Sequence, residues 1–488
     1  MADNLRTFAA ACQGGLVLNL DPLSQGSEGS GSAIRLINYE PALQGGYRRI
    51  SGFSNSYGEL TGLANSPVLG VHVAADINQG IFGCRRPTTG NNYFHLYNHY
   101  YTVAVTSSTG SNFTVGETIT AVVSGSDNTV VPISATVISK TANAIVLNFG
   151  KLPSAVFSVG NVITGGTSTT VSTITSAPVV LGWQEITTSG SPNTTTVSKV
   201  RFENFNWGAP KFVLVDGVNP AATWDGTTYT QLTTGNVPTK PSLAAAFNNH
   251  LFLAGDSTEP FNLYFSAPVA ETDWTPASGA GVINVGFKII QIKAFRDQLF
   301  VFGSNNIKRL VGTNIANFEL QTVTSNLGCV APDTVIEFNG DVLFLAPDGV
   351  RPITGTDRIG DIELATLSKP IQSIFETYTA QEDLATLTAV VVKKKSQFRM
   401  FFADQESLGI LGAVRRSGAG GAGFEYSQLV GVDVKTASSG YLGDEEFVIH
   451  GDSEGLVYRQ ESGNTFDGTV ILGRYRSCLL YTSPSPRD

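Results

Sequence analysis

Charged residues are scarce in this sequence. Lys, Arg, Asp and Glu together make up 15% of the 488 residues, and the formal net charge is −9. Because proteins that grip nucleic acid do so largely through Lys and Arg on the phosphates, this balance argues against tight nucleic-acid binding. The charge balance does not exclude a protein through which DNA passes without binding. At 42% hydrophobic residues, the chain is too apolar to be disordered.

Cysteine is equally scarce and carries no motif. The four residues, Cys12, Cys84, Cys329 and Cys478, form no CxxC pair and have no close histidine partner. This pattern indicates reduced thiols in a cytosolic setting, with neither a disulfide framework nor a zinc site. No apolar run approaches the ~18 residues of a membrane helix, and no signal-peptide stretch opens the chain. We expect a soluble protein made inside a cell, with no membrane span.

Two short segments match the letters of known catalytic motifs but lack the secondary structure that those motifs need around them. Gly451–Gly455 (GDSEG) fits the G-x-S-x-G nucleophile elbow, but strand-like residues flank it where an elbow needs a following helix, so it predicts a hairpin turn. Gly418–Gly423 (GAGGAG) fits G-x-G-x-x-G without a surrounding βαβ unit and is interpreted as a flexible loop. The five histidines form no HxH or HExxH motif: His72, His95, His99, His250 and His450.

Signatures of other known propeller and calcium-binding families are missing as well. The sequence has no Asp-box repeat of the sialidase type, no WD40 or kelch signature and no EF-hand spacing. A glycosidase-type carboxylate pair stays open, because Asp and Glu are plentiful enough to meet in a folded site. We expect no catalytic, cofactor-binding or metal-binding residue and no cofactor, and we do not expect an enzyme.

The sequence does contain a repeat. Phe247–Gly255 (FNNHLFLAG) returns as Phe295–Gly303 (FRDQLFVFG) and, more loosely, as Phe338–Ala346 (FNGDVLFLA), at intervals of 48 and 43 residues. Each copy places a polar turn after a phenylalanine and then a run of strand formers. One small sheet cannot bury its faces without neighbours, so a period of about 40–50 residues predicts an all-β fold, a β-propeller. Equivalent strands of successive blades should carry the three phenylalanines.

The repeat covers only part of the chain. Residues 1–66 lack it and are expected to pack beside the propeller as an N-terminal arm, whose removal would leave the blades folded. Residues 67–101 plus 179–477 are assigned to the discontinuous propeller. Residues 478–488 (CLLYTSPSPRD) depart from the β pattern. We interpret them as a non-native tail that stands in place of the natural continuation after Ser477.

Two local features are predicted within the propeller. Trp224–Tyr229 (WDGTTY) indicates a two-residue hairpin with Asp-Gly at its tip. A helix that packs between blades is predicted after Ser368, which could cap it, with Pro370 in its first turn. Its apolar positions follow helical spacing: Ile371, Ile374, Phe375 and Tyr378.

Residues 102–178 differ in composition from the blades. They are rich in Thr, Ser, Val and Gly and poor in aromatic residues, and Phe113–Thr120 (FTVGETIT) is echoed by Phe157–Thr164 (FSVGNVIT). The echo predicts a small β-domain inserted into one blade. Such insertions are tolerated at loop tips because loop-closure entropy grows slowly with length.

Three stretches taken together resemble one protein family. They are Gly14–Pro22 with Asn38–Pro41 and Gly45–Phe53, then Leu299–Ile307, then Leu327–Thr334 with Val342–Arg351. In this order they are similar to the tail nozzle proteins (tail tubular protein B) of short-tailed phages and their marine relatives. The resemblance covers the arm and most of the blades but not residues 102–178, and similarity of fold alone does not assign a function.

The resemblance implies a structural subunit of the virion tail. In that family, propeller-bearing subunits form a six-fold ring below the portal and the head–tail adaptor, extend the DNA ejection conduit and offer fibre attachment surfaces. The implied partners are other copies of the chain, the adaptor, the tail fibre protein and double-stranded DNA that passes without specific binding. A modest negative charge suits such a conduit wall.

Two other functions stay open at this point. A glycan-cleaving propeller would bring two carboxylates and an arginine together in one pocket on the propeller axis. A receptor-binding protein of the virion tail would instead use residues 102–178 as its adhesive part.

Overall fold

The computed structural model describes residues 12–477 except 21–31, 43–44, 75, 78–79, 98–99, 125–129, 150–156, 355–365, 381–383, 403–407 and 417–421. The chain is nearly all β, and its sheets form the seven blades of a β-propeller. This confirms the predicted fold class. The loop Gly418–Gly423 lies largely outside the described residues, as do His99 and the tail from Cys478 onward.

Four short strands precede the first blade: β1 (Ala33–Ile37), β2 (Tyr39–Pro41), β3 (Tyr47–Arg49) and β4 (Phe53–Ser54). The first blade begins with β5 (Val68–Ala74), β6 (Gly80–Arg85) and β7 (Phe94–Tyr97). A separate seven-stranded sheet, here called the insert, then interrupts it. The strands of the insert are β8 (Tyr100–Ala104), β9 (Thr118–Ser124), β10 (Val130–Lys140), β11 (Ala144–Asn148), β12 (Val162–Gly165), β13 (Val171–Thr173) and β14 (Val179–Val180).

The echo within the insert forms two equivalent turns. Phe113 and Phe157 are both buried in the insert's own hydrophobic core. After each of them the backbone turns through a glycine with positive φ, 89° at Gly116 and 88° at Gly160. In the first turn the amide of Thr114 donates to Glu117, and in the second the amide of Ser158 donates to Asn161. One local sequence therefore builds the same turn twice.

The insert joins the first blade through two neighbouring strand pairs. Strand β15 (Trp183–Glu185) completes the blade by pairing with β7, so that Trp183 lies opposite Tyr97. Strands β8 and β14 continue directly from this pair, with Val180 opposite Tyr101.

Deleting residues 102–178 and closing the gap with a short Gly/Ser link should therefore leave a soluble propeller. The two cut ends already lie across one antiparallel ladder, and loop closure costs little. We expect a single cooperative transition by differential scanning calorimetry, as for the full chain. Loss of soluble protein on deletion would contradict an independently packed insert.

Blades two to four are four-stranded antiparallel sheets. Their strands are β16 (Arg201–Asn206), β17 (Pro210–Val215), β18 (Ala222–Trp224) and β19 (Tyr229–Gln231); β20 (Leu243–Phe247), β21 (His250–Ala254), β22 (Asn262–Phe265) and β23 (Gly281–Asn284); and β24 (Gln291–Phe295), β25 (Gln298–Phe302), β26 (Ile307–Val311) and β27 (Glu319–Thr324).

Blades five to seven complete the circle. Their strands are β28 (Ile336–Phe338), β29 (Asp341–Ala346) and β30 (Gly349–Pro352); β31 (Thr388–Val392), β32 (Gln397–Phe402), β33 (Leu408–Arg416) and β34 (Ala422–Val430); and β35 (Thr436–Leu442), β36 (Glu445–Gly451) and β37 (Val457–Gln460). Helix α1 (Gln372–Thr379) lies between blades five and six. Three short strands follow: β38 (Thr465–Phe466), β39 (Thr469–Val470) and β40 (Arg474–Ser477).

The three copies of the repeat occupy equivalent positions in their blades, as predicted. Phe247, Phe295 and Phe338 each end the first strand of a blade, and each pairs with the residue three positions later across a two-residue turn. These turns begin with positive φ at Asn248, Arg296 and Asn339, as tight hairpin turns of this length require. The predicted two-residue turn after Trp224 is wrong, because Trp224 pairs with Tyr229 across four residues that Asp225 organises by accepting the amides of Thr227 and Thr228.

The predicted helix is shorter and is not capped by Ser368. A 3-10 turn (Lys369–Ile371) precedes α1, and Ser368 makes no side-chain capping bond. Its hydroxyl instead accepts the amide of Val350 at 2.9 Å. Ile371, Ile374 and Phe375 are buried in the core between blades five and six, so α1 is a packing helix.

Hydrophobic clusters lie between the blades. Within the described residues, one cluster fills each of the seven junctions between neighbouring blades, and an eighth fills the insert. Each blade therefore buries both faces only because it has neighbours, which is the reason that the repeat closes into a circle.

The N-terminal strands are built into the last two blades rather than beside them. Strand β1 lies between β34 and β40 in the sixth blade, and β4 pairs with β37 as the fourth strand of the seventh. Phe53 of β4 stacks on Phe466 with ring centroids 4.9 Å apart. The expectation that the arm packs beside a complete propeller is wrong, because the sixth and seventh blades need its backbone and its side chains.

A buried ionic network fastens the arm. The carboxylate of Glu40 in β2 accepts from Arg48 at 2.8 Å, from Lys395 at 2.8 Å and from Gln397 at 2.9 Å. Glu461, just after β37, forms ion pairs with Lys395 and Arg399. Lys395 therefore bridges two carboxylates and joins the arm to blades six and seven. The Lys393–Lys395 run is a 3-10 turn, and its third lysine is a structural cation.

This network should make stability fall in acid. Burial alone would raise the pKa of Glu461, but Arg399 and Lys395 outweigh it and lower that pKa from 4.5 to about 2. A carboxyl group with a depressed folded-state pKa stabilises the protein above its unfolded pKa and loses that contribution as pH falls through the folded value. Between about pH 5 and pH 2, Glu461 should contribute a loss of about 3 kcal/mol.

The measurement is urea unfolding at several pH values, with Glu461→Gln as the test variant. Glutamine cannot titrate, so the variant should be less stable at neutral pH and show a shallower decline in acid. Equal acid slopes for both proteins would contradict the assignment.

Candidate functional site

Every blade contributes to one cavity on the propeller axis, here called the axial cavity. It has a volume of about 200 Å³ and is lined from the innermost strands β5, β16, β20, β24, β28, β31 and β35 or by residues that directly precede them. Strand β20 presents Ala244 there, whereas neighbouring strands present charged side chains. The cavity is therefore a polar site bounded on one side by a small apolar side chain.

Asp333 is the centre of an ion cluster in this cavity. Its Oδ1 accepts Arg201 Nε at 2.6 Å, and its Oδ2 accepts Arg201 Nη2 at 2.8 Å. Lys199 Nζ lies 2.9 Å from the same Oδ2. A bidentate guanidinium and an ammonium together satisfy the carboxylate, which is the geometry of strong charge-assisted hydrogen bonds.

The two cations extend the cluster to other blades. Lys199 also donates to Thr388 Oγ1 at 2.8 Å and to the carbonyl of Leu387, at the start of the sixth blade. Arg201 also donates to the carbonyl of Ser242, which precedes the third blade, at 3.1 Å. Asp333 itself precedes the fifth blade. One carboxylate and two cations therefore connect four of the seven blades across the axis.

Electrostatics keep Asp333 ionised. Its burial alone would raise the pKa, but Arg201 and Lys199 outweigh that effect and hold the pKa of Asp333 far below its usual range. Burial lowers the pKa of Lys199, and the attraction of Asp333 partly offsets this. A carboxylate that is charged and satisfied in this way cannot donate a proton near neutral pH.

A second carboxylate lines the same cavity. Glu203 in β16 and Lys293 in β24 both line it, and neither forms an ion pair with another described residue. The cavity thus holds Asp333, Glu203 and Arg201. This is the combination of two carboxylates and an arginine that the glycan-cleaving alternative requires.

His72 connects this cavity to a second one. It also lines a cavity of about 490 Å³ with Asp76, Asn206 and Tyr441, towards the far ends of the innermost strands. Its ring stacks on Phe202 with centroids 5.1 Å apart, and its Nε2 is 2.8 Å from Asn204 Oδ1. Burial lowers the pKa of His72 to about 4, with the Asn204 bond acting in the opposite direction. His72 is therefore neutral at pH 7.

The sequence motifs lie away from the axis. Gly451–Gly455 forms the turn between β36 and β37, as predicted, and Asp452 Oδ1 accepts the amides of Glu454, Gly455 and Leu456. The hydroxyl of Ser453 donates to the carboxylate of Asp433 and so forms part of the turn. Among the described residues, no three His, Cys, Asp or Glu side chains are grouped so that they could hold a metal ion.

Sequence reasoning missed the axial residues, although a signal was present. In Lys199–Glu203 (KVRFE), charged and apolar residues alternate. In a strand this places Lys199, Arg201 and Glu203 on one face. Asp333, which pairs with Lys199 and Arg201, is 132 positions from Arg201, and no local pattern links them.

Comparisons with known proteins concern the fold only. No protein-family model and no curated protein matches the sequence. The computationally designed Ika8 protein is 11% identical over 83% of this chain and 99% of its own, with a TM-score of 0.37. Hsv2 from Kluyveromyces lactis is 7% identical over 74% of this chain and 98% of its own, with a TM-score of 0.32. Likenesses this distant carry no argument about function.

The described part of the chain contains no helix of the length and apolarity needed to cross a membrane.

Proposed function

We propose that the protein is a structural subunit of a short phage tail, of the tail nozzle type. The proposal rests on the positions, in the structure, of the stretches that resemble that family. They include arm residues that complete the sixth and seventh blades, Asn38, Glu40, Gly52 and Phe53, and the axial residue Asp333.

Each of these residues has a specific structural task. A Cβ on Gly52 would lie 2.0 Å from the carbonyl oxygen of Thr465, so only glycine fits that crossing. The side-chain amide of Asn38 donates to the carbonyls of Val430 and Leu472 and joins the sixth blade to the segment before β40. The resembling stretches therefore hold structural positions in the arm, in the fourth and fifth blades and on the axis, and this supports a shared architecture.

The size of the axial cavity bears on how DNA would pass. About 200 Å³ is smaller than the roughly 300–1,000 Å³ of pockets that hold drug-sized ligands. A duplex cannot pass through it, and Asp333 with its two cations crosses the axis. In a nozzle, the conduit would therefore lie between subunits, with each propeller forming part of the wall.

Purified particles of the phage that encodes this chain provide the test. Quantitative mass spectrometry should find the chain at a fixed ratio to the portal protein, and cryo-electron microscopy should place propeller density below the adaptor. The portal protein serves as the internal standard. Absence of the chain from particles, with abundance in the lysate, would overturn the proposal.

A second candidate function is favoured by Glu203, Asp333 and Arg201 in one cavity. On this alternative the axial cavity would bind a sugar and use Glu203, the carboxylate there that forms no ion pair with a described residue, in its cleavage. Glu203→Gln should then abolish release of reducing ends from host surface polysaccharide. Glu185→Gln, on the outer strand of the first blade, is the matched control. The absence of any release by the unaltered protein would remove this candidate.

A further inference from the structure

The axial cavity holds two charged side chains that the ion cluster around Asp333 does not use. Lys199 gives its three ammonium donors to Asp333 and to two groups at the start of the sixth blade. Arg201 uses each of its three nitrogens, on Asp333 and on the backbone carbonyl that precedes the third blade. Glu203 and Lys293 remain, and neither side chain makes an ion pair or a hydrogen bond with a described residue. The cavity therefore keeps one negative and one positive charge without a partner.

These two charges lie at the same depth along the axis. Glu203 is the third residue of β16 in the second blade, and Lys293 is the third residue of β24 in the fourth. Strand β20 of the third blade lies between these strands and lines the cavity with Ala244 only. Because the side chain of alanine is a single methyl group, it leaves room between the carboxylate and the ammonium group.

The size and lining of the cavity suit a small polar molecule. Its volume of about 200 Å³ is several times the ~30 Å³ that one water occupies in the liquid, and it is below the roughly 300–1,000 Å³ of pockets for drug-sized ligands. Ser438 of β35 also lines it, and its hydroxyl makes no hydrogen bond with a described residue. Glu203 and Lys293 are partly exposed, so a molecule in solution can reach both.

We propose that the axial cavity binds a small zwitterion of the amino-acid class, with its ammonium group at Glu203 and its carboxylate at Lys293. The two side chains have opposite charge and do not pair with each other, so a ligand that carries both charges satisfies both at once. Charge-assisted hydrogen bonds are roughly twice as strong as neutral ones, which favours such a ligand over an uncharged one. The inference goes beyond the proposed function, because a structural subunit needs no ligand on its axis.

Titration of the full chain with small zwitterions of increasing length tests the proposal. The probes are glycine, β-alanine and γ-aminobutyrate, and isothermal titration calorimetry should give a dissociation constant below about 1 mM for at least one of them. Propionate and propylamine carry one charge each and should bind at least tenfold more weakly, because each leaves one side chain of the cavity without a partner. Glucose, which is uncharged, should not bind in the same range.

Two variants locate the ligand in the cavity. Glu203→Gln and Lys293→Gln each remove one charge, and each should weaken binding of the zwitterion at least tenfold with an unchanged melting temperature, since neither side chain loses a partner. Glu203→Gln should also abolish the preference for the zwitterion over propionate, and Lys293→Gln the preference over propylamine. Glu319→Gln and Lys240→Gln remove the same charges from exposed positions outside the cavity and should bind like the unaltered chain.

Three results would overturn the inference. The first is a dissociation constant above about 1 mM for all three zwitterions. The second is binding of propionate, propylamine or glucose as tight as that of the best zwitterion. The third is binding of the zwitterion that neither Glu203→Gln nor Lys293→Gln weakens. None of these outcomes decides the proposed function, because the presence of the chain in particles is measured separately.

Discussion

Replacing Asp333 by asparagine should lower the free energy of unfolding by about 3–5 kcal/mol, because Lys199 and Arg201 are then left without their counter-ion. Both cations are largely buried, with side chains 13% and 20% exposed. They are held on residues that precede or begin β16 and cannot both turn to solvent without disturbing the second blade. Urea unfolding followed by intrinsic fluorescence would measure the change.

Two comparisons make this result specific. Asp297→Asn removes the same charge from an exposed turn of the fourth blade and should change stability by no more than about 0.5 kcal/mol. Replacing the whole cluster by Asp333→Leu, Lys199→Met and Arg201→Met should recover most of the loss, since apolar residues of similar volume can substitute for a buried ion cluster. If Asp333→Asn and Asp297→Asn behave alike, the cluster does not hold the blades together.

Deleting residues 1–54 should abolish the cooperative folding of blades six and seven. The deletion removes β1 from the middle of the sixth sheet and β4 from the seventh. It also uncovers apolar partners of Leu36 and Phe53, which are 1% and 9% exposed. We expect insoluble protein, or soluble protein whose calorimetric transition is broad and lies at a lower temperature.

A point substitution separates this effect from chain length. Phe53→Ala should cost about 3–5 kcal/mol, because it opens a cavity beside Phe466, Tyr458 and His450. The matched control is deletion of residues 102–178, which removes more chain yet should leave folding intact. A truncated protein that unfolded like the full chain would show that the seventh blade closes without β4.

Local signals predicted much of the fold. The repeat that begins at Phe247, Phe295 and Phe338 involves only the end of one strand, a tight turn and the next strand. All three copies form this arrangement, as predicted. The turn after Trp224 was predicted wrongly because the Asp-Gly pair suggests a short hairpin, whereas the side chain of Asp225 stabilises a longer loop. Serine is a residue type that commonly caps helices, but the hydroxyl of Ser368 accepts a hydrogen bond from the amide of Val350 instead.

The sequence by itself determined the repeat, the all-β character and the turns, because each depends on residues within a few positions of one another. Only the tertiary structure decided how the circle closes and what lies on its axis. Phe53 meets Phe466, and Arg201 meets Asp333, across separations that no local pattern encodes. Such pairs form when seven sheets pack side by side and bring distant parts of the chain to one junction. The physical reason is that burial of both blade faces and pairing of buried charges are properties of the whole circle, not of any one blade.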